Sequence, residues 1–300
     1  MSLKSWIVRR MFGWCRRAPR VTVVRLTGVI GGAGLGRSGL TLHGVARLLE
    51  QAFEPSRLAA VALVINSPGG SPVQSALIAK RIRELADEKK VPVLAFVEDI
   101  AASGGYWLAS AADEIFADQN SVVGSIGVIS AGFGFQELIA RHGIERRVHV
   151  TGERKMMLDP FQPENPEDVG RLKAIQADVH DSFREMVRLR RGDRLRGDDD
   201  DSVFSGEIWL GRRAVELGLI DGLGELTTLV RARYGKKVDI REIDEERGWL
   251  ARTLSFGAAA RGSLGAAAAG GGGFEGVAGG AIRAALAAVE ERAWWARHGL

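Results

Sequence analysis

The chain has 300 residues, 46% hydrophobic and 26% charged, the balance of a globular protein with material for one sizeable core. Its longest unbroken apolar run, "LAAVALVI" (58–65), is far short of the about 20 residues that a membrane helix needs. The single Cys15 excludes an intramolecular disulfide and fits a reducing compartment, and the net charge of +4 is unevenly placed.

Residues 1–20 carry six basic residues and no acid, with Ile7, Met11 and Trp14 at helical spacing. The segment lacks a continuous apolar stretch and a clear small-residue cleavage site, so it is not read as a signal peptide. It reads either as a basic amphipathic leader for an anionic membrane surface or as a disordered basic leader. "VTVVRLTGVI" (21–30) predicts a strand, and "LTLHGVARLLEQAF" (40–53) a helix through Leu42, Val45, Leu48 and Leu49. The apolar run at 58–65 predicts a parallel strand covered on both faces. It runs into "NSPGGSP" (66–72) and a helix, "VQSALIAKRIRELADEKK". "VPVLAFV" (91–97) repeats the pattern, leading through "AASGG" into "YWLASAA" as a helix. Strand, glycine turn and helix, twice over, indicate βαβ units and an α/β fold.

Further on, "SVVGSIGVIS" (121–130) and "RRVHVTG" (146–152) predict strands flanking a helix at 134–142. Residues 165–191 predict a long helix, with Asn165 as cap, Pro166 in first position and Glu167 and Asp168 favouring the dipole. Residues 206–224 predict a shorter helix with a glycine-rich exit. The segment "RLRRGDRLRGDDDD" (188–201) sets aspartates beside its arginines, so it reads as a solvated loop and not as a nucleic-acid site. Residues 256–280 are mostly Gly or Ala, a low-complexity linker before a last helix at 281–300. The expected organisation is a leader over 1–20, a catalytic domain over 21–242, and linker plus helix over 243–300.

Ser103 lies in "AASGGYW" (101–107). Ala101 stands where the G-x-S-x-G elbow has its first glycine, so Ser103 taken alone reads first as a helix cap or packing residue and second as a nucleophile. "SPGG" (67–70) follows a buried strand, where sites form in open α/β sheets. Its glycines suit backbone N–H groups aimed at an oxyanion, or simply a tight β–α turn. Lys155, in "TGERKMMLDP" (151–160), is a surface lysine or, if buried among the methionines and leucine, a neutral base. The five histidines, His43, His142, His149, His180 and His298, are all more than thirty residues from Ser103.

Taken together, "INSPGG", "AASGGYW", "GSIGV" and G-x-x-K-x-x-x-x-P resemble, in order and spacing, the signal peptide peptidase A family. The resemblance covers roughly residues 21–240. It implies a crotonase/Clp protease-like repeated ββα superhelix and a serine endopeptidase that uses a Ser-Lys dyad, with no cofactor and no metal. It implies Ser103 as nucleophile, Lys155 as general base, Ser125 as the group orienting the lysine, and Gly69, Gly70 and Gly104 as the oxyanion-hole region. Tyr106 and Trp107 are candidates for the substrate groove.

The implied partners are peptides or unfolded proteins, including signal-peptide remnants and misfolded or membrane-associated chains. In the family a site can draw its serine and lysine from different protomers or repeats. With one copy of each motif here, the resemblance implies a ring-like homo-oligomer, tetramer or octamer. Many relatives carry a transmembrane anchor where this chain has its basic leader. The expected location is therefore cytoplasmic, peripheral on the inner face of the cell membrane. Two other readings stand beside this one: a crotonase-fold acyl-CoA enzyme using Glu98 and Asp99, and a non-catalytic scaffold at a membrane surface.

Overall fold

A computed structural model describes residues 18–32, 39–152, 154–196 and 200–243, with only the backbone of residues 200 and 201. The leader up to residue 17, the low-complexity linker and the C-terminal helix read from the sequence lie outside the described residues.

A mainly parallel sheet organises the chain. Strands β1 (Arg20–Thr27), β2 (Leu58–Ser67) and β3 (Val93–Ala102) lie side by side, with β2 in the middle. Beyond β3, two short strands share its far edge. β4 (Glu114–Ala117) pairs with its first half and β5 (Val122–Gly124) with its last residues. β6 (Ile208–Leu210) runs antiparallel to β5, and β7 (Gly222–Leu223) pairs with β4. At the other edge β8 (Asp239–Glu242) pairs with β1.

The side-chain alternation of the strands divides the core in two. Val24, Leu26, Leu63, Ile65, Ala95 and Val97 face helices α1 (Leu42–Phe53), α2 (Pro72–Lys89) and α3 (Gly104–Ser110). Val21, Val23, Ala62, Val64, Leu94 and Phe96 face the opposite way, towards Val230 on α8 (Leu226–Tyr234). β2 is apolar on both sides because both faces are covered, as its unbroken apolar run predicts. α1 and α2 are capped by Thr41 and Ser71, whose hydroxyls accept from Gly44 N and Gln74 N.

After β5 the chain leaves the sheet. A short helix, α4 (Gln136–Arg141), lies within a long exposed segment, 129–165, and α5 (Pro166–Arg191) returns to the body. Asn165 Oδ1 accepts from Glu167 N at 2.9 Å and Pro166 occupies the first turn, as expected from the sequence. Only Phe183, Val187 and Arg191 of α5 are buried, all in its C-terminal part. There Arg191 donates to Gly218 O and to Asp221, at 2.7 Å for the closer carboxylate contact. A 3-10 turn (Gly192–Arg194) follows α5, and two short helices, α6 (Asp200–Val203) and α7 (Gly211–Glu216), complete the described elements.

Three expectations change. Residues 146–152 form no strand; Val148 and Val150 are 42% and 46% exposed, and no strand among the described residues pairs with them. The strand expected over 121–130 stops at Gly124, where φ of 109° at Gly124 and 53° at Ser125 turn the backbone out of the sheet. Residues 206–224 divide into β6, α7 and β7 instead of one helix.

Candidate active site

The site sits at the carboxyl end of the central strands. In register across the sheet lie Ser67, Ala101, Val123 and Trp209, so β2, β3 and β5 end together beside the start of antiparallel β6. β3 is bulged just before this row: Ile65 pairs with Val97, but Ser67 pairs with Ala101. The bulge sends Glu98 and Asp99 to solvent. Glu98 accepts from Arg25 at 2.7 Å and Asp99 from Asn66 Nδ2 at 2.6 Å.

Ser103 forms the turn between β3 and α3, at φ 50° and ψ −122°. A non-glycine residue held there costs about 1–3 kcal/mol, and its surroundings must impose it. They do so through Ser103 N, which donates to Gly124 O at 2.8 Å, and Ser103 O, which accepts from Trp107 N at 3.0 Å. Ser103 stands at the N-cap position, yet its hydroxyl makes no capping bond. Ser103 is half-buried, and its strained turn does not use the hydroxyl as a cap.

The glycine turn packs directly on Ser103. A Cβ at Gly69 would lie 2.8 Å from both Gly104 N and Ser103 Cβ, and φ there is 105°. Ser67 fixes the turn, its hydroxyl donating to Gly28 O at 2.7 Å and accepting from Gly69 N at 3.2 Å. Ile30 adds a short bridge, donating to Gly69 O and accepting from Ser71 N, both at 2.8 Å. These bonds leave the Gly70 N–H outside the ladder, while the Gly104 N–H starts α3 and has no intrahelical acceptor.

Ser125 lies one residue beyond Gly124, whose carbonyl holds Ser103. It is half-buried, and its N–H donates to Glu207 O at 2.6 Å. The structure therefore brings together Ser103, Ser125, Gly69, Gly70 and Gly104. It does not bring Lys155 to them within one chain. Lys155 is exposed, in contrast to the burial weighed from its neighbours Met156, Met157 and Leu158, and no hydrogen bond joins it to either serine. The segment carrying it has a small cluster of its own. Phe135 packs between Phe133 and Phe161, and Arg146 lies over the Phe161 ring and pairs with Asp159.

Tyr106 and Trp107 are core residues and do not line a groove. Tyr106 is fully buried, its hydroxyl donates to Leu219 O at 2.7 Å, and burial pushes the phenol well above its usual range. Trp107 stacks on Phe183 with ring centroids 4.6 Å apart. α3 points these side chains inward because all seven of its residues are buried.

Two parts of the site escaped the sequence reading. Trp209 lies against Gly124, where a Cβ would meet its ring at 2.6 Å. His180 Nε2 lies 3.1 Å from Ile126 O. Neither has a local motif; sheet pairing and helix packing bring them there. Among the described residues no group of His, Cys, Asp or Glu is placed to hold a metal ion. No described helix is long and apolar enough to cross a membrane.

Comparison with known proteins adds to this geometry. Residues 85–239 match the model of the family described as peptidase family S49. A Brucella melitensis protein named Na(+)/H(+) antiporter NhaA is 49% identical over 282 residues, 93% of this chain and 37% of that protein. Protease 4 of Haemophilus influenzae is 33% identical over 189 residues, 62% of this chain and 30% of its own length. The chloroplastic serine protease SPPA of Arabidopsis thaliana is 31% identical over 219 residues, 70% of this chain and 31% of its own. The chain thus spans about a third of the length of these relatives. A solved membrane-bound stomatin-specific protease, a mutant with a substrate peptide, aligns over 80% of this chain and 97% of its own, at 14% identity and a TM-score of 0.49.

Proposed function

The chain belongs to peptidase family S49, and on that premise we propose that it is a serine endopeptidase acting through a Ser-Lys dyad. The observation that carries this reading is Ser103, a serine in a strained strand-to-helix turn with an uncapped hydroxyl beside a glycine turn. Strain of this kind gathers where a reactive group must be presented. Ser103 Oγ attacks the scissile carbonyl carbon as Lys155 Nζ takes its proton. The N–H groups of Gly70 and Gly104 receive the oxyanion. Collapse expels the amine, which takes the proton back from Lys155 and leaves an acyl-enzyme. Lys155 then takes a proton from water as the water oxygen attacks the ester. It returns that proton to Ser103 Oγ as the ester C–O bond breaks, which regenerates the dyad and frees the product acid, ionised in water.

A lysine works as a base only when kept dry. Lys155 is exposed in one chain, on a segment that also exposes Ile129, Leu138 and Ile144 at 87%, 53% and 59%. We therefore assign this segment to contact with another copy in a ring-like homo-oligomer, where Lys155 meets the Ser103 and Ser125 of its neighbour. Peptides and unfolded proteins, signal-peptide remnants among them, are the substrates. The basic leader sets the protein peripherally on the inner face of the cell membrane. The acyl-CoA reading gains no support, since Glu98 and Asp99 are engaged with Arg25 and Asn66.

The test is cleavage of an unfolded reporter protein. Ser103→Ala and Lys155→Ala each abolish it, and mixing the two inactive variants as dissociated chains before reassembly restores part of it. Undiminished cleavage by either variant overturns the dyad. Failure of the mixture to recover places both residues of a site in one chain.

A further inference from the structure

The backbone from Gly124 to Gly127 lines the site after the sheet has ended. Its first part is held by backbone: Gly124 O accepts from Ser103 N, and Ser125 N donates to Glu207 O. A tight turn follows, in which Gly127 N donates to Ser125 O at 2.9 Å. Ile126 points its side chain into the core, fully buried. Its carbonyl is met from the other side by His180 Nε2 at 3.1 Å. A carbonyl only accepts, so Nε2 carries a proton and donates.

Ser125 has φ 53°, a conformation that a serine keeps only if its neighbours impose it. Glu207, the residue before β6, holds it on one side. On the other, among the described residues, the side-chain bond comes from His180. This histidine stands one turn before Phe183, which stacks on Trp107 in the helix that begins at Ser103. Successive turns of α5 thus touch the elements of both serines.

We propose that His180 is a positioning residue, clamping the Ser125 turn from α5 through the Ile126 carbonyl. The catalytic consequence rests on the peptidase reading; the clamp itself does not. Without the donor, the turn relaxes towards ordinary φ values and Ser125 Oγ loses its fixed direction. His180 contacts no substrate, and its loss acts on the rate of acylation and not on substrate affinity.

The experiment compares the full chain with His180→Ala and with His180→Gln, whose amide N–H reaches to about the position of Nε2. His43→Ala, an exposed histidine on α1, is the control. Two readouts are taken: amide hydrogen exchange of peptides covering 122–131, and the rate at which a fluorophosphonate labels Ser103. Losing one partly buried hydrogen bond should speed exchange at Ser125 and Gly127 about five- to tenfold in the alanine variant and slow labelling by a similar factor. The glutamine variant should recover most of both, with KM for a peptide unchanged throughout. Equal exchange in wild type and His180→Ala overturns the clamp, whatever the labelling. Faster exchange with no labelling of wild type overturns the peptidase reading while the clamp stands. Loss of both that glutamine does not rescue overturns the donor role and leaves only packing of α5.

Discussion

Gly69→Ala tests whether the glycine turn and the nucleophile are packed as one unit. At φ 105° a side chain is strained by about 1–3 kcal/mol. The added methyl would also lie 2.8 Å from Gly104 N and Ser103 Cβ and 2.9 Å from Ala102 O. None of these is a flexible side-chain end, so overpacking adds about 1–3 kcal/mol. Gly28→Ala is the matched control, because φ is 98° there and a Cβ meets nothing within 4 Å. It should cost only the strain. Urea denaturation followed by tryptophan fluorescence should find Gly69→Ala about 1–3 kcal/mol less stable than Gly28→Ala. In a domain of this size that is a melting temperature lower by roughly 2–12 °C. Ser103 labelling should fall by about 10²-fold in Gly69→Ala, as when an oxyanion donor is lost, and stay near wild type in Gly28→Ala. Equal stabilities, or wild-type labelling of Gly69→Ala, would refute the packing argument.

Other expectations follow from the ion pairs, the caps and the exposed segment. Burial raises the Asp221 carboxyl, but Arg191 and the Ile115 N–H outweigh it and hold it below the usual carboxylate range. Its contribution is therefore present at neutral pH and is lost as pH falls from about 5 through the depressed value. Asp221→Asn should flatten that acid limb in pH-dependent unfolding. It should also cost about 3–5 kcal/mol, since Arg191, with its side chain 1% exposed, keeps a buried charge without its partner. Glu225, held by the Thr227 N–H and the Thr228 hydroxyl, should titrate near its low value of about 2 by NMR. Its replacement by alanine should cost about 0.5–1 kcal/mol as a lost helix cap. If the exposed segment joins copies as proposed, Ile129→Asp combined with Leu138→Asp should give single chains by light scattering where the unaltered chain gives an assembly, with the melting of the sheet domain unchanged.

The turns of the site were legible because their chemistry is local. "NSPGG" and "AASGG" follow apolar runs that can only be central strands, and the structure sets both at the ends of β2 and β3. The α/β fold read from that repetition holds for the described residues. α5 was bounded to within a residue because Asn165, Pro166 and Gly192 mark its ends chemically. What failed was whatever depends on a partner distant in sequence. "RRVHV" alternates as a strand does, but no strand among the described residues pairs with it. The apolar neighbours of Lys155 in sequence do not bury it, because burial is decided by what packs over a segment. Tyr106 and Trp107 looked available beside Ser103, yet α3 turns them inward onto Leu219 and Phe183. His180 gave no signal, since one hydrogen bond to a carbonyl 54 residues away leaves no pattern.

The pairing of β8 with β1 has a consequence for synthesis. Arg20 through Val23 meet Asp239 through Glu242, so the first described strand waits for the last one described. Until then one edge of β1, "RVTVVRLT", offers unpaired N–H and C=O groups between valines, a template for pairing with another chain. The sheet is mainly parallel, and such long-range closure is slow. A chain interrupted before residue 239 would keep Ser103 and its glycine turn in sequence but leave that edge open. It should aggregate through β1, so the protein is safest when translation through β8 is quick.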